Sequence, residues 1–410
     1  MNQDRKVLRE LAHVYAEISH HPRNAANAAL YRAVNDLRMI RPVVLLDEIP
    51  FHEFNADGAL TLRCEDAILR GVEDYLRKTI FKWRHFPADM MVPPHLRVGK
   101  VINSTGIGIK VEEETVSVDA ANHISSHGYV DQFANDEDLL KLKDPIISYD
   151  HAETMRRYGL VADAVGDIVP VKVGGVQYVY SIIWDEIAAY RGVSSLLMDL
   201  IDRAEFTHAL VKRLYDIRVN VTEQYEKLGL YEYGPETIHC VTALTDDLPA
   251  PDPAVGARRA NMWCRGAAQI LGSVSREMQE EFEFEYTKKL FEPFGLVYYG
   301  CCEPLHLKLD ALVKMPRLRK IGVTPWADTD VMAEFMGDRY VMAVKPNPAS
   351  VAVGPLDEAG LRKELGKILD AVRRNHAHCD IVLKDISSAS YRLENLVRWE
   401  QIAMELVRDW

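Results

Sequence analysis

The sequence predicts a mixed α/β chain folded as one (β/α)8 TIM barrel, and three observations predict it. Short apolar runs alternate with helical patterns, regularly so from about residue 150 onward, as parallel strands joined by crossover helices require. Eight such runs can be counted, each followed by a helical pattern; eight strands close a barrel, and a doubly wound open sheet is the alternative, since strand order is not read from sequence. The 410 residues contain no internal repeat, low-complexity tract or Gly/Ser linker to divide them, and large barrels use this length as a single unit.

Residues 1–40 predict an N-terminal helical layer, because Val7, Leu11, Val14 and Ile18 share one helix face and Leu30, Val34 and Leu37 another. Pro42 ends it. Val43-Val44-Leu45-Leu46 is a buried strand closing on Asp47 and Glu48. Ile68, Val72, Tyr75 and Thr79 mark the next helix, and 88–92 a second strand stopped by Pro93-Pro94. Gly106, Gly108 and the alternation from Val111 to Val118 predict a small β insertion over 98–133. Further strands are expected at 168–172, 237–244, 296–302, 319–324, 340–345 and 380–385. Helices are expected at 151–165, 193–228, 275–292, 305–314, 329–336 and 356–375, with a closing amphipathic helix on Leu393, Val397, Ile402 and Leu406. The Pro-rich stretch 248–253 reads as a loop over the barrel mouth, and Glu277, Glu280, Glu281, Glu283 and Glu285 as a solvated helix face.

Composition bounds the function. Lys plus Arg is 49 against 61 Asp plus Glu, a net charge of -12, which argues against nucleic acid as a partner. No apolar run approaches the ~18 residues of a membrane span, and the first residues, Met1 to Lys6, have no signal-peptide core. Six Cys are too few for a disulfide scaffold, so a reduced, cytoplasmic protein is expected. No G-x-x-x-x-G-K-[ST] run is present, and Gly106-Ile107-Gly108 lacks the third glycine of a dinucleotide loop. His123 and His127 are four apart but lie in loop or strand, not on one helix face, and read as solvated.

Catalytic groups of such a barrel come from the C-terminal ends of its strands. Those ends carry Asp47 and Glu48; His239 and Cys240; Cys301, Cys302 and Glu303; Thr324, Trp326 and Asp328; Lys345 and Asn347; and Lys384 and Asp385. Acids, thiols and two lysines at so many strand ends point to an enzyme. Gly300-Cys301-Cys302-Glu303 offers soft and hard ligands to a metal such as Zn²⁺. Because adjacent strand residues face opposite ways, one cysteine of the pair faces inward unless a bulge intervenes. Core packing is the competing explanation for the cysteines and for His239.

The run Val297-Tyr298-Tyr299-Gly300-Cys301-Cys302-Glu303-Pro304-Leu305-His306 stands where the uroporphyrinogen decarboxylase-like superfamily has its H-x-C-G strand end. The segment 315–328, then Met336-Gly337-Asp338-Arg339-Tyr340-Val341, Lys345-Pro346-Asn347-Pro348 and Leu393-Glu394-Asn395-Leu396 are also similar to that superfamily. Within it the chain resembles the corrinoid-dependent methyltransferases, especially the methyltransferase I components of anaerobic O-demethylases. The arginine-rich R-Q-A-G-R type of run that decarboxylases use for porphyrinogen carboxylates is missing. Gly300 replaces the histidine of H-x-C-G and Glu303 its glycine, and no cysteine lies near Lys384–Ile386. The family's zinc site is therefore lost or rebuilt around His239, Cys302 and Glu303.

The resemblance implies O-demethylation: a methyl group leaves a small methoxylated substrate, an aryl methyl ether, for Co(I) of a separate corrinoid protein. The cobalamin is the partner's, because the chain lacks D-x-H-x-x-G. The leaving oxygen needs a Lewis acid or a proton donor. Zinc, or Glu303, Lys345, Lys384 and Asp385, would serve. Asp47, Glu48, Trp263, Trp326 and Asn347 would bind the substrate, and a homodimer is compatible with this scheme. The alternatives are a decarboxylase acting on a non-porphyrin acid and a non-catalytic binding barrel.

Overall fold

The computed structural model describes residues 3–116, 126–408 and 410. Seven strands form its central sheet: β1 (Val43–Leu46), β2 (Tyr178–Ser181), β3 (Trp263–Gly266), β4 (Leu296–Tyr299), β5 (Leu318–Val323), β6 (Val341–Val344) and β7 (His378–Leu383). Their spatial order is β1-β7-β6-β5-β4-β3-β2, and every neighbouring pair is parallel. Helices make the crossovers that parallel pairing needs, among them Thr329–Met336 after β5, Glu358–Arg374 after β6 and Leu393–Arg408 after β7. Both faces of the sheet are buried, so its strands are apolar throughout. Val44, Cys264, Val297, Ile321, Met342 and Ile381 face the helices. Val43, Leu45, Trp263, Leu296, Val341 and Val382 face an inner core.

The expected barrel is met in part. The mixed α/β chain and its parallel sheet are present, but β1 and β2, the two ends of the sheet, are not hydrogen-bonded to each other among the described residues. Three expected strands lie elsewhere. Residues 88–92 are not a strand; there Asp89 lies beside β1, exchanging its N–H with Val44 O at 2.9 Å and taking the Val44 N–H on its carboxylate at 2.9 Å. Arg41 grips that carboxylate through two hydrogen bonds of 2.8 and 2.7 Å. The strand expected at 168–172 is Val171–Gly174, paired in a separate two-stranded sheet with Leu96–Gly99.

The third, 237–244, is an antiparallel hairpin of Thr237–Ile238 and Val241–Thr242. Ile238, Cys240, Val241 and Ala243 pack inside the sheet against its inward side chains. A buried ion pair anchors it: Lys320 Nζ of β5 donates to Asp380 of β7 at 2.7 Å, to Thr242 O at 2.7 Å and to Thr242 Oγ1 at 3.0 Å. Trp263 Nε1 donates to Ala243 O at 2.9 Å.

The N-terminal layer divides between two cores. α1 (Gln3–Ser19) packs with α3 (Ala67–His85) and helix His151–Val165 around Leu8, Leu76 and Val161. α2 (Pro22–Asn35) sends Tyr31 and Val34 to the inner core. In the expected insertion, Val101–Ser104 pairs with Ile147–Asp150 and Glu113–Val116 with Ser126–Tyr129. Val118 and His123 lie outside the described residues. The glutamate run is not wholly solvated: in a π-helical turn, Glu280–Phe284, Glu283 is buried, bonds Thr287 Oγ1 at 2.7 Å and is pushed up to about 8 by that burial. No helix among the described residues is long and apolar enough to cross a membrane.

Candidate functional site

β4, β5, β6 and β7 end side by side, and the residues after them enclose a cavity of about 500 Å³. Cys301 and Cys302 come from the end of β4, Thr324 and Trp326 from β5, Lys345 and Asn347 from β6, and Lys384 and Asp385 from β7. Pro325, Pro346, Pro348 and the exposed Trp326 give it an apolar wall. Gly300 starts the turn at φ +108, and a Cβ there would stand 2.7 Å from Leu305 Cδ1 and 3.1 Å from Gly322 N. Only glycine accepts both the backbone angle and that approach.

Lys384 is the hub. Its buried Nζ lies 3.2 Å from Asp385 Oδ1, 3.4 Å from Glu48 Oε2, 3.2 Å from His239 Nε2 and 3.9 Å from Cys301 Sγ. Glu48 and Asp385 both have positive φ, at 50° and 57°, and the Asp385 N–H donates to Glu48 Oε2 at 3.1 Å. His239, also at positive φ, is the tip of the inner hairpin. Its ring stacks on Tyr180 of β2 at 6.0 Å, and its Nε2 is 3.7 Å from Glu48, just beyond β1. The hairpin tip thus spans the two unbonded ends of the sheet.

Cys301 is enclosed by cations. Lys345 Nζ donates to Cys301 O at 2.6 Å, and Arg265 of β3 donates to Gly300 O at 3.4 Å. Arg265 is 0% exposed, lies over Tyr180 at 4.4 Å and Tyr298 at 5.3 Å, and its Nε and Nη1 meet no hydrogen-bond partner among the described residues. Charge and burial set the proton affinities here. The Cys302 hydrogen bond pulls the Cys301 thiol well below its usual range; burial opposes this, and His239, Lys345 and Arg265 reinforce it. Cys302 moves the opposite way, because Cys301 holds its proton and burial disfavours its thiolate. Burial opposes the charges on Lys345 and Lys384, but the anionic groups around them more than offset it, and both stay above the usual lysine value. Contact with Cys301 favours protonated His239, yet burial and the charges of Arg265 and Lys384 leave it below its usual value. Glu48 is pushed up to about 7, first by burial and then by its side-chain hydrogen bond with Asp385.

Lys345, Lys384, Asp385, Trp326, Asn347 and Cys302 are brought together in one cavity wall. The two lysines are not the low-affinity proton donors that burial alone would make. The Asn347 Oδ1 accepts the Ala349 N–H at 3.0 Å, so that oxygen helps shape its own turn. Asp47 turns away, 3.6 Å from Lys82, into a neighbouring cavity of about 410 Å³. Trp263 is fully buried in the inner core and is not part of this cavity's wall. Glu303 is buried outside the cavity wall, its oxygens accepting the N–H groups of Cys301 at 2.9 Å and Ala268 at 3.3 Å. His239, Cys302 and Glu303 do not assemble as ligands: His239 faces Lys384, Cys302 faces Asp385 at 3.7 Å, and Glu303 faces backbone. Among the described residues no three His, Cys, Asp or Glu side chains converge as a metal would require, so the residues do not fit the expected zinc. Sequence reasoning missed Arg265 and Tyr180, and weighed Cys302 above Cys301.

The fold is similar to that of a methyltransferase from Methanosarcina mazei. The two superpose with a TM-score of 0.50 at 12% identity, over 92% of this chain and 98% of that one. At that identity the likeness is one of fold alone. No family model matches the sequence, and no curated protein does.

Proposed function

We propose that the chain is a methyltransferase-type enzyme that moves a methyl group from a small aryl methyl ether to Co(I) of a separate corrinoid protein. The observation that carries this reading is the Glu48–Asp385 pair beside Lys384. A carboxyl group that titrates at about 7 holds a proton at working pH for a poor leaving group. Asp385 lines the cavity and passes that proton to the ether oxygen, while the fixed charges of Lys384 and Lys345 stabilise the negative charge developing there. Trp326 and the three prolines take up the aromatic ring. The partner's Co(I) would supply the nucleophile that accepts the methyl.

Leu307, Trp326, Val353 and Tyr391 support the partner. They follow β4, β5, β6 and β7 in turn, and they are 69%, 68%, 69% and 66% exposed. Trp326 lines the cavity, and exposed apolar side chains on the segments after four neighbouring strands suit a protein docking face.

The test is methyl transfer with a methoxylated aromatic compound and a reduced corrinoid protein. Methylation of cobalt and release of the phenol are expected, with no product from the chain alone. Phenol formed in corrinoid-free buffer, or carbon dioxide released from an added acid, would overturn the reading.

A further inference from the structure

Cys301 and Cys302 hold their Sγ atoms 3.6 Å apart on one wall of the cavity, so a small molecule in the cavity meets both. Cys302 is partly exposed and Cys301 is buried, like Cys64, Cys240, Cys264 and Cys379, but of these buried five Cys301 alone lines this cavity. Arg265 is a second, independent observation. Its guanidinium is fully buried between Tyr180 and Tyr298, and two of its nitrogens meet no hydrogen-bond partner among the described residues, a setting that favours an anion beside it. No carboxylate is paired with it among the described residues; the groups its charge meets are Tyr298, then Cys301 and Tyr180. Lys384 adds its charge at 3.9 Å from the Cys301 sulfur. Cationic surroundings, access from a cavity and a neighbouring thiol are the features of a peroxide-sensitive cysteine.

We propose that Cys301 and Cys302 form an oxidation-sensitive pair whose substrate is a small hydroperoxide, with Cys301 attacking and Cys302 resolving. The Cys301 thiolate attacks the terminal peroxide oxygen. The O–O bond breaks, and the leaving alkoxide or hydroxide takes a proton from water in the cavity. Cys301 becomes a sulfenic acid. Cys302 then attacks its sulfur, an S–S bond forms, and hydroxide departs as water with the proton of Cys302. The two sulfurs lose two electrons and the peroxide gains them. Neighbouring residues hold their Cα atoms about 3.8 Å apart, shorter than the usual disulfide span, so the bond is strained and readily reduced. Oxidation changes the wall of the cavity, and an added dithiol restores it. None of this depends on methyl transfer.

The experiment treats the full chain with hydrogen peroxide at pH 7 and follows each cysteine by alkylation and peptide mass. Cys301 and Cys302 should disappear together, at least ten-fold faster than free cysteine, as a peptide lighter by two hydrogens that dithiothreitol reverts. In Cys302→Ser a dimedone adduct should accumulate on Cys301. Arg265→Met, or Lys345→Met if that variant does not fold, should slow the loss of Cys301 about ten-fold. Oxidation of Cys301 no faster than free cysteine, dimedone adducts on Cys302 rather than Cys301, or an unchanged rate in the folded cation variant would each overturn the proposal.

Discussion

Two buried lysines, Lys320 at the floor of the inner core and Lys384 at the mouth of the sheet, divide structure from chemistry. Lys320 is 0% exposed and spends all three donors on Asp380 and Thr242. Burial holds its proton affinity below the usual lysine value, with Asp380 only partly offsetting it. Lys384 is nearly as buried, at 2%, yet its neighbours push its affinity above the usual value. Those neighbours are Cys240 and Cys301, then Glu48 and Asp385, which are half-exposed, and Lys384 lines the cavity. A saturated ion pair in a dry core fixes geometry, here the seat of the hairpin that carries His239. An ion cluster facing a cavity keeps spare capacity for a ligand or a proton.

The sharpest way to break this contrast is to remove each lysine in turn. Lys320→Met strands the Asp380 carboxylate and should cost about 3–5 kcal/mol of unfolding free energy in urea titrations, whereas a Lys320→Met/Asp380→Leu double variant should recover most of it. Lys384→Met should cost far less stability, about 1 kcal/mol, because Glu48 and Asp385 can reach water. It should nevertheless lower methyl transfer about 100-fold. Equal stability losses in the two single variants would erase the distinction between floor and mouth.

Glu48 sharpens it further. Its folded-state affinity is raised to about 7, so the acid form prevails below that pH and is lost above it. Turnover should be level on the acid side and fall about ten-fold per pH unit above about 7, and Glu48→Gln should remove that limb while lowering the plateau ten- to 100-fold. The same shift makes this group's contribution to stability full below the unfolded value of about 4.3 and lost as pH rises through about 7. A rate that rises through pH 7 would place the proton elsewhere.

The legible parts of the sequence were the strands that obey one rule at a time. β4 to β7 are apolar runs with polar groups at their ends, and from those ends came Lys345, Asn347, Lys384 and Asp385. β3 escaped notice because Arg265 stands in its middle, where only an inward stack between Tyr180 and Tyr298 makes a charge tolerable. Residues 237–244 carry enough apolar side chains to pass for a strand, and the turn at His239 has none of the glycine, asparagine or proline that announces one. The choice between Cys301 and Cys302 was beyond alternation, because Gly300 leaves the strand at positive φ and resets which way the next side chains point. Glu303 illustrates the limit from the other side. A carboxylate at a strand end is indistinguishable, in sequence, from one that ties its own loop to the loop after the neighbouring strand by two backbone hydrogen bonds, as Glu303 does with Cys301 and Ala268.

The smallest expected effect lies at the rim. Trp326 is 68% exposed although it lines the cavity, so it contributes little to folding. Trp326→Ala should change unfolding free energy by at most about 0.5 kcal/mol. If the rim is a docking face, the same substitution should weaken binding of the corrinoid partner by 1–2 kcal/mol, roughly five- to thirty-fold in Kd, as loss of an exposed aromatic anchor does. Tyr391→Ala on the neighbouring segment should act in the same direction, while an exposed residue remote from the mouth, such as Met155 on helix His151–Val165, should leave the Kd unchanged. Because Trp326 also faces the substrate cavity, partner binding is best measured without substrate. Weaker transfer with an unchanged partner Kd would assign Trp326 to the substrate alone and leave the rim without its partner.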